Sequence, residues 1–297
     1  MATNKKKKTS HRKASNPNCP TPQGILLIIG GKEDKGQKEK EEENEEFIEE
    51  EILKTFIELT GKKDPSIGII TTASKVADEQ FADYKKVFQA QGLTDIRQIH
   101  HESRNEIFDD ELLEQARSSD AFFFAGGDQL LLTSIYGGSE FLTLLKERYI
   151  AEKIVIAGTS AGAMAMSTPM IYAGNKDVQQ IAGEIKITTG LEFLKDVCID
   201  THFVDRSRFV RMAQVIVTNP SSIGMGIDED TAIVVRNGVD AEVIGNGMII
   251  IIDGFHILDS NIQEFGEQKV VSMRNLRVHL LGKGEKYLIP QVNPPHR

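Results

Sequence analysis

The sequence predicts an α/β fold built on a mostly parallel sheet, with antiparallel strands added in its last third. Three observations carry that expectation. Short apolar runs alternate with amphipathic segments of helical period from Gly24 to beyond Ala161. The best of these runs are apolar throughout, as strands covered on both faces require. From Ala232 onward the helical segments give way to strand-like runs separated by Asn-Gly turns.

Taken in order, Gly24 to Gly31 is an unbroken apolar run closed by two glycines and reads as a buried strand. Gln37 to Leu59 reads as a helix, with Ile48, Ile52, Phe56 and Leu59 at helical spacing and Glu41, Glu42, Glu43, Glu45 and Glu46 as a solvated lead-in. Strands follow at Ser66–Thr72, Ile96–His100, Ala121–Ala125 and Ile154–Ala157. The helices between and after them cover Asp78–Gln91, Asp109–Ser118, Phe141–Glu152 and a segment starting near Ala161. The final strands are Ala232–Arg236, Glu242–Gly245, Gly247–Asp253 and Val270–Leu281, joining the same sheet or a neighbouring one. Asn237-Gly238 and Asn246-Gly247 are both hairpin signals. No internal repeat or linker interrupts this pattern, so residues 24–290 are expected to form a single domain behind a disordered basic tail, residues 1–23.

Composition narrows the function. The chain has 297 residues, 40% hydrophobic and 27% charged, without Trp and with 6% aromatics, which argues against a surface built to stack bases or sugars. Its net charge of −9 is unevenly placed. Residues 1–23 hold six basic side chains and no acid, leaving 29 basic against 44 acidic in the remainder, a net −15. Such a body repels nucleic acid and attracts cationic ligands. No apolar run nears the ~20 residues that span a bilayer, and Met248–Ile252 reads as a buried strand. The basic start is followed by Thr, Ser, His, Arg, Lys and Ala rather than a signal-peptide core. Two cysteines, Cys19 and Cys198, give no disulfide framework, so a reducing, cytoplasmic setting is expected.

The strongest chemical signal is Gly158-Thr-Ser160-Ala-Gly162, directly after a buried strand and before a helix of small residues. A sharp strand-to-helix turn strains the Ser backbone and needs small neighbours, while the helix start aims free N–H groups at an anion forming beside the hydroxyl. The same pattern also suits a glycine turn that merely joins two elements or cradles a phosphate. A second glycine turn, Gly126-Gly127-Asp128-Gln129, ends the preceding strand, and parallel strands present their carboxyl ends to one crevice. The N–H groups of Gly127 and Ala161 are therefore candidates for an oxyanion hole, with Gln129 near substrate. A Ser nucleophile needs a base. Of seven histidines, His202 stands at a strand end among Asp200, Asp205, Arg206, Arg208 and Arg211. The supporting carboxylate is sought in Asp228-Glu229-Asp230, where spacing does not choose among the three. Metal binding by this trio is discounted, because no partner cluster with ligand spacing accompanies it.

Together, Gly30-Gly-Lys-Glu-Asp34-Lys35, Phe124-Ala-Gly-Gly-Asp-Gln129, Gly158–Gly162, Asp200-Thr-His-Phe203 and Gly226-Ile-Asp-Glu229-Asp resemble the cyanophycinases, a serine peptidase family that also includes the bacterial aspartyl dipeptidases. The resemblance runs in order from Gly24 to Leu281. It implies a Rossmann-like three-layer sandwich related to class I glutamine amidotransferases, a homodimer, and no metal or organic cofactor. It implies Ser160 as nucleophile, His202 as base and Glu229 as orienting acid. The implied reaction is hydrolysis of multi-arginyl-poly-aspartate to β-Asp-Arg, with short aspartyl or isoaspartyl peptides as the alternative substrate. Arg206, Arg208 and Arg211 correspond to positions that grip substrate carboxylates, and Asp34, Gln129 and Asp200 to positions lining the pocket. Thr201 departs from the family's Gln, a change expected to lose one substrate hydrogen bond or admit a different β-aspartyl peptide.

Overall fold

The computed structural model describes residues 20–36, 50–107, 109–174, 177, 179–264 and 267–291. Most of the expected basic tail (residues 1–19) and the first part of the expected 37–59 helix (residues 37–49) lie outside these residues.

The first half alternates as its sequence predicts: β1 (Ile25–Ile29), α1 (Glu51–Leu59), β2 (Ile67–Ile70), α2 (Ala77–Ala90), β3 (Ile96–Ile99), α3 (Asp110–Ser118) and β4 (Ala121–Phe124). Then come α4 (Gln129–Tyr136), α5 (Glu140–Ala151), β5 (Val155–Thr159) and the short α6 (Ala161–Ala165). Helix α4 is an addition to the sequence reading. Asp128 starts it, accepting from the Leu130 N–H at 2.9 Å, a cap that satisfies one orphan amide of the first turn. The later elements are β6 (Val197–Thr201), α7 (Phe209–Thr218), β7 (Ile223–Ile227), β8 (Thr231–Arg236), β9 (Asp240–Gly245), β10 (Ile249–Asp253), β11 (Arg277–Leu281) and β12 (Lys286–Leu288).

An eight-stranded sheet runs β12-β9-β8-β1-β5-β4-β2-β3. Its strands β1, β5, β4, β2 and β3 are parallel, and β8, β9 and β12 extend it antiparallel from β1. Both faces are covered, which is why β1 is apolar at every position. Leu26 and Ile28 enter one core, while Leu27 and Ile29 enter the other. On the second face, α1 and α2 pack Phe56, Tyr84 and Phe88 around Phe123 of β4. A buried ring of this kind contributes about 1.5–3 kcal/mol.

On the first face lie α3, α4 and α5 and a second sheet of order β11-β10-β7-β6, ending in the two-residue strands 167–168 and 194–195. The C-terminal strands are thus shared between both sheets. Within the second sheet β6 and β7 are parallel, with Thr201 opposite Ile227. Helix α7 covers its outer face, burying Met212, Val215 and Ile216 against Cys198 and Ile252.

The two Asn-Gly signals end differently. Asn237-Gly238 closes the β8–β9 hairpin, both residues at positive φ (55° and 71°). Asn246-Gly247 is not a hairpin, because β9 belongs to the first sheet and β10 to the second. There the chain crosses between sheets, held by Asn246 Nδ2 donating to Asp230 (2.9 Å) and the Gly247 N–H donating to Thr231 Oγ1 (2.8 Å). The expected Val270–Leu281 strand is shorter, confined to β11 and a two-residue strand at Met273–Arg274.

Candidate active site

The carboxyl ends of β1, β2, β4 and β5 open on one side of the first sheet, and those of β6 and β7 reach the same place from the second. A parallel sheet gathers functional groups at this edge. Backbone bonds stitch the two sheets together there. The His202 N–H donates to the Gly30 carbonyl (3.0 Å) and the Asp230 N–H to that of Gly31 (2.8 Å), while the Ser160 N–H donates to Ile29 within the first sheet (3.1 Å). Such closeness explains the paired glycines after β1: a Cβ at Gly30 would lie 1.8 Å from the Asp228 carbonyl oxygen, and one at Gly31 would lie 2.4 Å from His202 Cε1.

Ser160 sits between β5 and α6 at φ 51°, ψ −115°, a conformation costly for any residue with a side chain. The turn tolerates no bulk: a Cβ at Gly162 would fall 2.1 Å from the Phe124 carbonyl oxygen. The resulting geometry aims Ser160 Oγ at His202 Nε2, 3.0 Å away. Nδ1 of the same ring lies 2.7 Å from Glu229 Oε1. An ionised carboxylate only accepts, so Nδ1 carries the proton and Nε2 is left to accept from the Ser160 hydroxyl. The β6–β7 pairing makes this possible, since His202 and Glu229 follow neighbouring parallel strands.

Burial is the main influence on His202 and pulls its pKa below the usual 6.5; the Glu229 bond opposes this, and the charge of Arg206 adds to the lowering. The ring is therefore neutral, the form a base requires, at neutral pH. For Glu229, burial works to raise the pKa, but Lys32 and His202 outweigh it and hold the carboxyl below its usual range. Lys32 Nζ lies 2.8 Å from Glu229 Oε2.

A cavity of about 830 Å3 opens over Ser160 and His202 and is lined by Gly31–Lys35, Ala73–Val76, Gly126–Asp128 and Tyr84, among others. Gly126 packs beside the nucleophile position, where a Cβ would lie 3.4 Å from Ser160 Cβ, and Gly127 follows at φ 144°. Gly127 lines the cavity just after β4, and Ala161 opens α6 directly after Ser160.

The remaining candidates are placed less uniformly. Asp34 lines the cavity, but its two carboxylate oxygens accept from the backbone N–H groups of Gly36 and Glu50, each at 3.0 Å. Gln129 donates instead to the Ile171 carbonyl (2.8 Å). Asp200 is fully buried and paired inside the chain. Arg211 Nε lies 2.6 Å from Asp200 Oδ2, its Nη2 bonds Oδ1, and Arg208 Nη1 lies 2.9 Å from Oδ1. This carboxylate therefore serves two internal arginines rather than a substrate guanidinium. Arg206 is exposed, and Thr201 is fully buried, its hydroxyl facing the interior. Sequence reasoning overlooked Glu33, which lines the cavity beside Asp34 while buried, and Lys32, which completes the Glu229 contacts. The available signal was their position just beyond a parallel strand.

Comparison with known proteins places this architecture. The profile of Peptidase family S51 matches residues 35–243. The chain is 30% identical over 262 residues to a cyanophycinase of Geminocystis herdmanii (88% of this chain, 92% of the relative). It is 29% identical over 290 residues to one of Synechococcus elongatus (98% and 85%). The crystal structure of a peptidase from an acI-B1 Actinobacterium shares the fold, with a TM-score of 0.63 at 20% identity, covering 91% of this chain and 98% of that one.

Proposed function

This chain belongs to peptidase family S51, and from that premise we propose that it hydrolyses multi-arginyl-poly-aspartate to β-Asp-Arg through Ser160, His202 and Glu229. It is a serine-type peptidase. The observation that carries the finer reading is the continuous relay from Ser160 Oγ through the His202 ring to Glu229, at 3.0 and 2.7 Å, opening on one cavity.

In this reading Ser160 Oγ attacks the scissile carbonyl carbon while Nε2 of His202 takes the hydroxyl proton. The Gly127 and Ala161 amides donate to the resulting oxyanion. Glu229 stays ionised and steadies the imidazolium. Collapse breaks the C–N bond, and His202 passes its proton to the leaving amine. Water then attacks the acyl-enzyme, giving one proton to His202, and Ser160 is released as the proton returns to it. Both relatives named above are cyanophycinases, which supports the arginine-aspartate polymer as substrate. A homodimer and a cytoplasmic setting belong to the same reading, supported by the family resemblance and the cysteine-poor composition.

Incubation with cyanophycin granules, and separately with short aspartyl and isoaspartyl peptides, tests the substrate. Release of β-Asp-Arg from the polymer is expected. Hydrolysis confined to the short peptides would overturn it.

A further inference from the structure

We infer that Glu33 is a specificity residue, seating a cationic group of the substrate in the catalytic cavity on the wall that carries the nucleophile. Glu33 follows β1 in the same loop as Lys32, and only 5% of it is exposed. Its Oε1 accepts from the Tyr84 hydroxyl, and its Oε2 accepts from Thr159 Oγ1 at 2.7 Å. Thr159 is the residue before Ser160, and Glu33, Thr159, Ser160 and Tyr84 all line the one cavity.

Both hydrogen-bond donors are neutral. Among the described residues no Lys, Arg or His nitrogen forms an ion pair with Glu33. Lys35 comes nearest in kind, yet its ammonium rests on the Tyr84 ring, 4.0 Å from the centroid. A buried carboxylate without a counter-charge is costly, and cations or dense hydrogen bonding are the usual remedies. A carboxylate accepts about four hydrogen bonds, and two are used here.

The other acids around the cavity have structural partners of their own. Asp34 accepts from the Gly36 and Glu50 amides, Asp128 caps α4, and Glu229 holds Lys32 and His202. Glu33 differs from them in being bonded to Thr159, the residue before the nucleophile, with two acceptor positions still unfilled. An incoming guanidinium fits that capacity, since its planar N–H fork pairs with carboxylate oxygens. The need for a cation follows from Glu33 alone; naming it a guanidinium rests on the arginine-containing substrate proposed above.

Calorimetric titration with acetyl-arginine amide and acetyl-citrulline amide, which differ in the guanidinium charge, separates charge recognition from architecture. Wild-type protein is expected to bind the arginine compound roughly tenfold or more tightly than the citrulline one. Glu33→Gln is expected to bring the two affinities together. Equal affinities in the wild-type protein, or no binding of either, would overturn the proposal whether or not the variant folds. So would a folded Glu33→Gln protein that keeps the preference. The readout needs no turnover. Failure to cleave the polymer would count against the proposed activity, and this comparison would still decide the role of Glu33.

Discussion

The Lys32 ammonium lies 2.8 Å from Oε2 of Glu229, while His202 holds Oε1 at 2.7 Å. The carboxylate is thereby fixed at both oxygens, and its ionised form is favoured. Lys32 is largely exposed, so its contact is screened and modest. Lys32→Met is expected to lower kcat by less than about tenfold, leave KM nearly unchanged and weaken the salt dependence of the rate. Steady-state kinetics across ionic strength check this.

The lowered pKa of His202 sets the acid side of the activity profile. Turnover needs the neutral ring, so activity should rise with pH through a midpoint below 6.5 and be complete by neutrality. Glu229→Gln removes the anion that props the pKa up. Its midpoint should move to still lower pH, with kcat reduced about 10²–10⁴-fold. A midpoint that moves upward would count against the His202–Glu229 contact.

Stability should follow the same groups. The unfolded chain binds more protons than the native one at His202 below about pH 6.5, because the native pKa is depressed, so stability falls as pH drops through that range. Glu229, also depressed, adds a further loss at lower pH, below the usual carboxylate value. Urea unfolding between pH 7 and pH 4 should show this decline, and a flat response would contradict it.

Much of the fold was legible because burial dictates sequence directly. An apolar run such as Leu26–Ile29 has few alternatives to a two-faced strand, and Ser160 announced itself through the glycines that its turn requires. The partners of Ser160 were harder to see. His202 and Glu229 meet because β6 and β7 are parallel neighbours in a second sheet, a long-range pairing that no local period encodes. Asn246-Gly247 misled for the same reason, since a turn dipeptide does not reveal which sheet receives the next strand. Asp200 and Glu33 illustrate a further limit. Both are acids at strand ends, yet one is spent on Arg208 and Arg211 and the other faces the cavity.

Gly31 makes room for the imidazole. A methyl group at this position would press on the His202 ring, and the backbone there has φ 104°. Gly31→Ala is expected to reduce kcat by about 10²-fold or more through ring displacement, as small misplacements do at reacting centres. The β1 core lies on the far side of the turn, so near-native circular dichroism should accompany the loss.

Asp200 is a stability residue in this structure. Asp200→Asn would leave Arg208 and Arg211 without their buried counter-charge, at a cost of about 3–5 kcal/mol. Chemical denaturation should show that loss, whereas a change limited to KM would return Asp200 to the substrate pocket.

The nucleophile itself is most directly tested by treating the protein with a fluorophosphonate and mapping the adduct by peptide mass spectrometry. One adduct is expected, on the peptide containing Ser160, lost in Ser160→Ala together with peptide-bond hydrolysis. An adduct on another serine, or a Ser160→Ala protein that turns over at the wild-type rate, would contradict it.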